Sequence, residues 1–120
     1  LLTKTIGRAA PRDTVYKELH TPAANTAAIV TLEAVAGRKH WVHHFQWSYS
    51  AVPTGGRLTI TVGGVIQFDV DITSAGPGGF GVEIIGGAGQ EIVLTLAAGG
   101  ASVSGKLNVQ YTTETATLEY

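Results

Sequence analysis

The sequence contains no cysteine and no methionine. Without thiols there is neither a disulfide nor a thiolate metal site, so stability must come from packing, strand pairing or a partner subunit. Long apolar runs are missing as well. The longest are a few residues, far below the roughly 20 that cross a bilayer as a helix, and no membrane partner is expected. Charge is sparse: 8 Lys and Arg stand against 9 Asp and Glu, for a formal net charge of −1. It is also uneven, because residues 1–20 carry Lys4, Arg8, Arg12 and Lys17 against only Asp13 and Glu18. Four spaced cations fall short of the dense basic stripe, interleaved with aromatics, that phosphate contacts require, so no nucleic-acid partner is expected. The stretch Leu1–Arg8 lacks the continuous apolar segment of a secretory signal, and none is expected there.

What is present is a chain of 120 residues, room for one domain that buries roughly two thirds of its unfolded surface. Short runs of β-branched and aromatic residues are each closed by Gly or Pro, at the spacing of sandwiches and barrels, and no stretch of helical period interrupts them. Residues 1–26 lack sustained periodicity and contain Pro11 and Pro22. They read as an extended N-terminal arm with one short strand at Thr14–Leu19, ahead of a sandwich domain over 27–120.

Within that domain Ala28–Ala34 is a strand closed by Gly37. In His40–Ser50 a period of two places Trp41, His43, Phe45, Trp47 and Tyr49 on one face, expected to be the inner one, and His40, Val42, His44, Gln46 and Ser48 on the other. Arg57–Val62 turns Leu58, Ile60 and Val62 inward. Gly63-Gly64 suits a tight hairpin, since both residues accept positive φ. The return strand Val65–Ile72 is expected to face Ile66, Phe68, Val70 and Ile72 inward, with Gln67, Asp69 and Asp71 outward. Shorter strands follow at Phe80–Ile85 and Gln90–Ala97. A last strand, Val103–Thr112, points Val103, Leu107, Val109 and Tyr111 inward. The predicted fold is all-β, an antiparallel, jelly-roll-like sandwich of about eight strands.

Several motifs imitate chemistry and fail on context. Gly100–Leu107 comes within one residue of a phosphate-cradling loop, but Leu107 stands where Ser or Thr must ligate Mg²⁺, and a strand follows instead of a helix. Gly76–Gly81 satisfies GxGxxG without the parallel βαβ setting that a dinucleotide needs. His40, His43 and His44 suggest a metal. On a regular strand, however, His40 and His44 lie about 13 Å apart, with His43 on the other face, whereas zinc ligands sit about 2 Å from the ion. No metal or other cofactor is therefore expected unless a bulge or another chain intervenes. No serine lies in a nucleophile elbow. Asp69 and Asp71 share a face about 6.6 Å apart, a separation used in glycoside hydrolysis, yet they read as solvated carboxylates on the wet side of a strand. No catalytic site and no small-molecule substrate are expected. Trp41, Trp47 and Tyr49 are core if inward and binding anchors if outward, and the alternation favours core for Trp47.

Two stretches, Val30-Thr31-Leu32-Glu33-Ala34-Val35-Ala36-Gly37-Arg38-Lys39-His40 and Trp47-Ser48-Tyr49-Ser50-Ala51-Val52-Pro53-Thr54-Gly55-Gly56, resemble the small β-sandwich proteins of tailed-phage virions. Val70–Gly78 and Leu94–Ala101 add to that resemblance, which covers about residues 27–112. It implies a capsid decoration, or cement, protein on the virion surface. Such a protein is commonly trimeric, has the major capsid protein as its partner, and stabilises the shell by bridging neighbouring subunits. An extended arm would widen that footprint, with Leu2, Ile6, Arg8 and Arg12 as the expected capsid contacts. The alternative is a tail, fibre or lectin-like module that grips a glycan or host receptor through its loops, for which exposed Trp or Tyr beside Asp or Asn at loop tips would be the signature; the loop tips here are mostly Gly, Ala, Ser, Thr and Pro.

Overall fold

The structure, a computed structural model, describes residues 14–115. Among these there is no helix; the chain forms β1 (Tyr16–His20), β2 (Ala28–Leu32), β3 (Arg38–Tyr49), β4 (Gly56–Val62), β5 (Val65–Ile72), β6 (Gly78–Phe80), β7 (Ile84–Ile85), β8 (Ile92–Leu96) and β9 (Gly105–Thr115). One sheet runs β1-β9-β3-β6, with β7 also pairing with β3, and the other runs β2-β8-β4-β5. All pairings are antiparallel.

β6 lies against Phe45–Trp47 and β7 against Trp41–Val42. The two short strands thus occupy one position beside β3, broken in the middle. Counted so, the sandwich has eight strand positions whose order and alternation between sheets are those of a jelly roll. β1 falls within the stretch read as an arm. It completes the first sheet by pairing with β9, Tyr16 opposite Tyr111 and His20 opposite Leu107.

The core is the apolar face of each sheet turned toward the other. Phe45, Leu107 and Val109 of one sheet meet Leu58, Ile60, Ile92, Leu94 and Leu96 of the other, all fully buried. Phe45, Phe68 and Phe80 form a cluster with centroids 5.1–5.7 Å apart, in which Phe68 meets the other two edge-on. The hairpin expected at Gly63-Gly64 forms, with φ of 57° and 84°. Gly78 is required for another reason, since a Cβ there would meet the Trp47 indole at 2.5 Å.

Two expected faces are corrected. In β3 the alternation breaks at His43-His44: Phe45 faces Val109 and His44 faces Gln110, but Tyr111 faces Val42, so His43 is the extra residue of a β-bulge. Before the bulge His40 and Val42 point inward and Trp41 outward; after it Phe45, Trp47 and Tyr49 point inward. A single period of two across the strand therefore misplaces Trp41 and His40. In β5 a similar slip at Gln67 sets Ile66 opposite Thr61, on the outer face, where it is 54% exposed. Phe68, Val70 and Ile72 keep the inward direction.

Candidate functional site at the uncovered end of the sandwich

β3 and β9 span 12 and 11 residues, whereas β2, β8 and β4 span 5, 5 and 7. At one end the two sheets are tied in line, because the Tyr49 hydroxyl donates to the Ala97 carbonyl at 2.7 Å. The surplus length therefore falls at the other end, where Arg38–His40 and Tyr111–Thr115 run on without a sheet opposite. Side chains that point inward there face a cleft of about 460 Å³ instead of a core. Its walls carry Tyr16 and Glu18 of β1, Arg38 of β3, Tyr111 and Thr113 of β9, and Glu33 just past β2.

His40 forms the floor and is 5% exposed. Its Nε2 lies 2.6 Å from the Glu33 carbonyl, which can only accept, so Nε2 carries the proton. Nδ1 is then the acceptor for the Thr113 hydroxyl at 2.9 Å. Both ring nitrogens are satisfied, which makes His40 a brace between β3, β9 and the β2 end. Arg38 donates from Nη2 to the Thr113 carbonyl at 2.6 Å, while its Nε is buried without a partner.

The two tyrosines pair across β1 and β9, with ring centroids 5.5 Å apart and planes tilted by 32°. His40 meets Tyr111 edge-on at 5.9 Å. The Tyr111 phenol is held above its ordinary pKa, first by burial and then by the negative charge of Glu18 and the neighbouring Tyr16.

On the outer face of the same sheet the bulge re-aims His43. Its ring stacks on Trp41 with centroids 4.7 Å apart, and its Nε2 lies 2.9 Å from Thr112 Oγ1. Thr112 in turn donates to Glu114 Oε2 at 3.0 Å, and Glu83 Oε2 lies 3.9 Å from His43 Nδ1. The row Glu83, His43, Thr112 has the composition of an acid–base–nucleophile set. Its polarity is wrong: the Thr112 proton goes to Glu114, so Thr112 accepts from His43, whereas a base must take the nucleophile's proton. Thr112 is also buried, and 3.9 Å is too long for a hydrogen bond.

The bulge that the metal hypothesis needed is present, yet it separates the histidines: His40 points inward, His43 lies against Trp41, and His44 is exposed opposite Gln110. Among the described residues no three His, Asp or Glu side chains gather as metal ligands. Asp69 is engaged by Arg57 through two hydrogen bonds of 2.8 Å, which hold its carboxyl below the usual range. Asp71 lies opposite Arg57 in the register. Gly105 enters β9 and Gly78–Phe80 forms β6, so neither Gly-rich stretch leads into a helix. Trp47 and Tyr49 are core residues. The proposed contacts Leu2, Ile6, Arg8 and Arg12 lie outside the described residues.

The cleft itself escaped the sequence reading. Its members come from four separate segments, and the one local signal was the polar–aromatic composition of β1, where Tyr16, Glu18 and His20 alternate with Lys17 and Leu19.

No protein-family model matches the sequence, and no curated protein is similar to it. Among solved structures, the CBM36-1 domain of a multidomain xylanase from the hindgut metagenome of Trinervitermes trinervoides is similar with a TM-score of 0.44 and 10% identity, over 82% of this chain and 78% of that one.

Proposed function

We propose that this protein is a non-catalytic attachment module, a structural virion protein that decorates a capsid and stabilises it by bridging neighbouring capsid subunits. One observation carries the reading. Large apolar side chains are exposed around the adjoining edges of the two sheets: Val15, Tyr16 and Leu19 at β1, Ile29 on β2 and Val35 just beyond it, with Leu19 68% exposed. The edges are held together there, since the Ile29 amide donates to His20 Nδ1 at 2.8 Å. An apolar rim beside an edge strand suits contact with another protein better than contact with water. Contacts from Leu2, Ile6, Arg8 and Arg12, in the stretch that precedes β1 in the sequence, belong to the same proposal. A trimer belongs to the proposal, with a solution mass three times the 12.5 kDa of one chain.

The test is co-sedimentation with capsids assembled from the major capsid protein. Leu19→Glu with Ile29→Glu, both exposed positions, should leave the β-rich circular dichroism spectrum intact and abolish co-sedimentation. A folded double variant that sediments with capsids like the parent would overturn the reading.

A glycan-binding module is the second reading, favoured by Tyr16 and Tyr111 beside Glu18 in an open cleft. Selective hits on a glycan array that vanish in Tyr16→Ala would put it first.

A further inference from the structure

We propose that His20 is a pH-sensitive latch between the two sheets, joining the edges of β1 and β2 while its ring is neutral and releasing them when the ring takes a second proton. The consequence for binding, though not the latch itself, rests on reading the protein as an attachment module.

β2 is an edge strand of its sheet, paired with β8 alone. Alternate amides of an edge strand point away from the ladder and need an acceptor elsewhere. The Ile29 amide points toward β1, where His20 Nδ1 accepts its hydrogen bond at 2.8 Å. A backbone N–H can only donate, so Nδ1 carries no proton in this arrangement and Nε2 holds the one proton of the neutral ring. Protonation places a second N–H at Nδ1. Two donors then face each other across the joint, and the bond is lost.

The other histidines are not built in this way. Nδ1 of His40 accepts from the Thr113 hydroxyl, which can rotate and become the acceptor when the ring is charged. His43 has a Glu83 carboxylate oxygen 3.9 Å from Nδ1, on the side where a second proton would go. His44 is exposed. Only at His20 does the backbone fix the partner as a donor.

Few charges surround the joint. On β1, Glu18 shares the face of His20, with Tyr16 beyond it, while Lys17 lies on the other face. β9 sets Leu107 opposite His20, and the titratable group on its inward side is Tyr111, opposite Tyr16. β2 and residues 21–27 contain no titratable side chain. The Glu18 carboxylate is therefore the one charge on that face of β1, and it favours the imidazolium, working with release.

The joint also holds the apolar rim in place. Leu19 precedes one partner of the bond and Ile29 is the other, and the two side chains are 68% and 45% exposed. Histidine changes charge between about pH 8 and pH 5, so acid uncouples the two edges and weakens any attachment that needs both.

The experiment follows the Ile29 amide and the His20 ring of the full chain by nuclear magnetic resonance from about pH 8 to about pH 5. Both should titrate with one midpoint. Opening of the Ile29 amide, read by hydrogen exchange against the intrinsic rate at each pH, should rise about threefold to tenfold in acid, the worth of one hydrogen bond. The Ala97 amide, which donates to the Arg57 carbonyl, should show no such rise. His20→Gln offers a side-chain carbonyl that accepts without titrating, so it should abolish the pH response, with unchanged Phe45 resonances showing an intact fold. An Ile29 amide that ignores the ring, or that responds equally in folded His20→Gln, would overturn the latch. Capsid co-sedimentation at about pH 7.5 and about pH 5.5 reads the consequence: the parent should bind more weakly in acid and His20→Gln should not. Equal acid sensitivity of the two proteins overturns control of attachment by the latch. A latch that titrates in a protein that never joins capsids supports the latch and removes the decoration reading.

Discussion

The same two strands, β3 and β9, behave differently along their lengths. Where β8 and β4 lie opposite, their inward side chains include Phe45, Leu107 and Val109, none of these three more than 1% exposed. Where no strand lies opposite, the inward side chains Arg38, His40, Tyr111 and Thr113 face the cleft, with Arg38, His40 and Thr113 joined by hydrogen bonds and Tyr111 packed against Tyr16 and His40. Coverage by a second sheet, and not direction alone, decides which chemistry a position must have. An inward residue is a core residue only if something apolar meets it there.

The sharpest break in this comparison is truncation in the covered half. Phe45→Ala removes a fully buried ring from between Phe68 and Phe80 and should cost about 3–5 kcal/mol in denaturant unfolding. A cost below about 1 kcal/mol would mean that the two sheets do not close on Phe45. His40→Ala, on the boundary between the halves, should cost about 1–3 kcal/mol, because the Glu33 carbonyl and the Thr113 hydroxyl lose their shared partner. It should also disturb the Tyr16 and Tyr111 resonances, which a purely core truncation at Leu94 would leave in place.

A smaller effect sharpens the electrostatics of the open half. Tyr111 and Tyr49 are both raised by burial, Tyr49 against the lowering pull of a backbone hydrogen bond at Arg57. For a tyrosine whose folded pKa lies above the unfolded value, the stabilising contribution is present below about pH 10 and is lost as pH rises through the folded pKa. Glu18→Gln should lower the Tyr111 pKa in an ultraviolet titration and leave Tyr49 alone, since Glu18 acts on Tyr111 only. Equal movement of both would show that Glu18 acts through the fold as a whole.

The smallest effect is expected on the solvent face of β4 and β5. Asp69 has its carboxyl lowered by the hydrogen bond from Arg57. Its contribution is therefore present above the ordinary carboxylate pKa of about 4 and is lost as pH falls through the depressed value. Both groups are exposed, so solvent and salt screen the pair. Asp69→Asn should change the melting temperature barely at pH 7 and not at all in acid, where the pair is already broken.

Much of the fold was legible because strand chemistry is local. Leu58, Ile60 and Val62 announce their face by strict alternation, and Gly63-Gly64 announces the hairpin because few other residues accept two successive positive φ values. Thr14–Leu19 was readable as a strand, and it is β1 within one or two residues. The bulge at His43-His44 was not readable: neither residue is a glycine or proline, and the slip exists only because Tyr111 pairs with Val42 across the sheet. Since side chains alternate with a period of two, one unpaired residue exchanges the faces of everything on one side of it. That slip sends Trp41 outward and His40 inward.

By itself the sequence determined that this chain is an antiparallel sandwich without disulfides, because apolar alternation and glycine turns act over a few neighbouring residues. The tertiary structure alone decided where the sandwich stops being a core. The cleft exists because β3 and β9 outrun the strands opposite them, and its walls come from β1, β2, β3 and β9, segments joined only by pairing across the sheet.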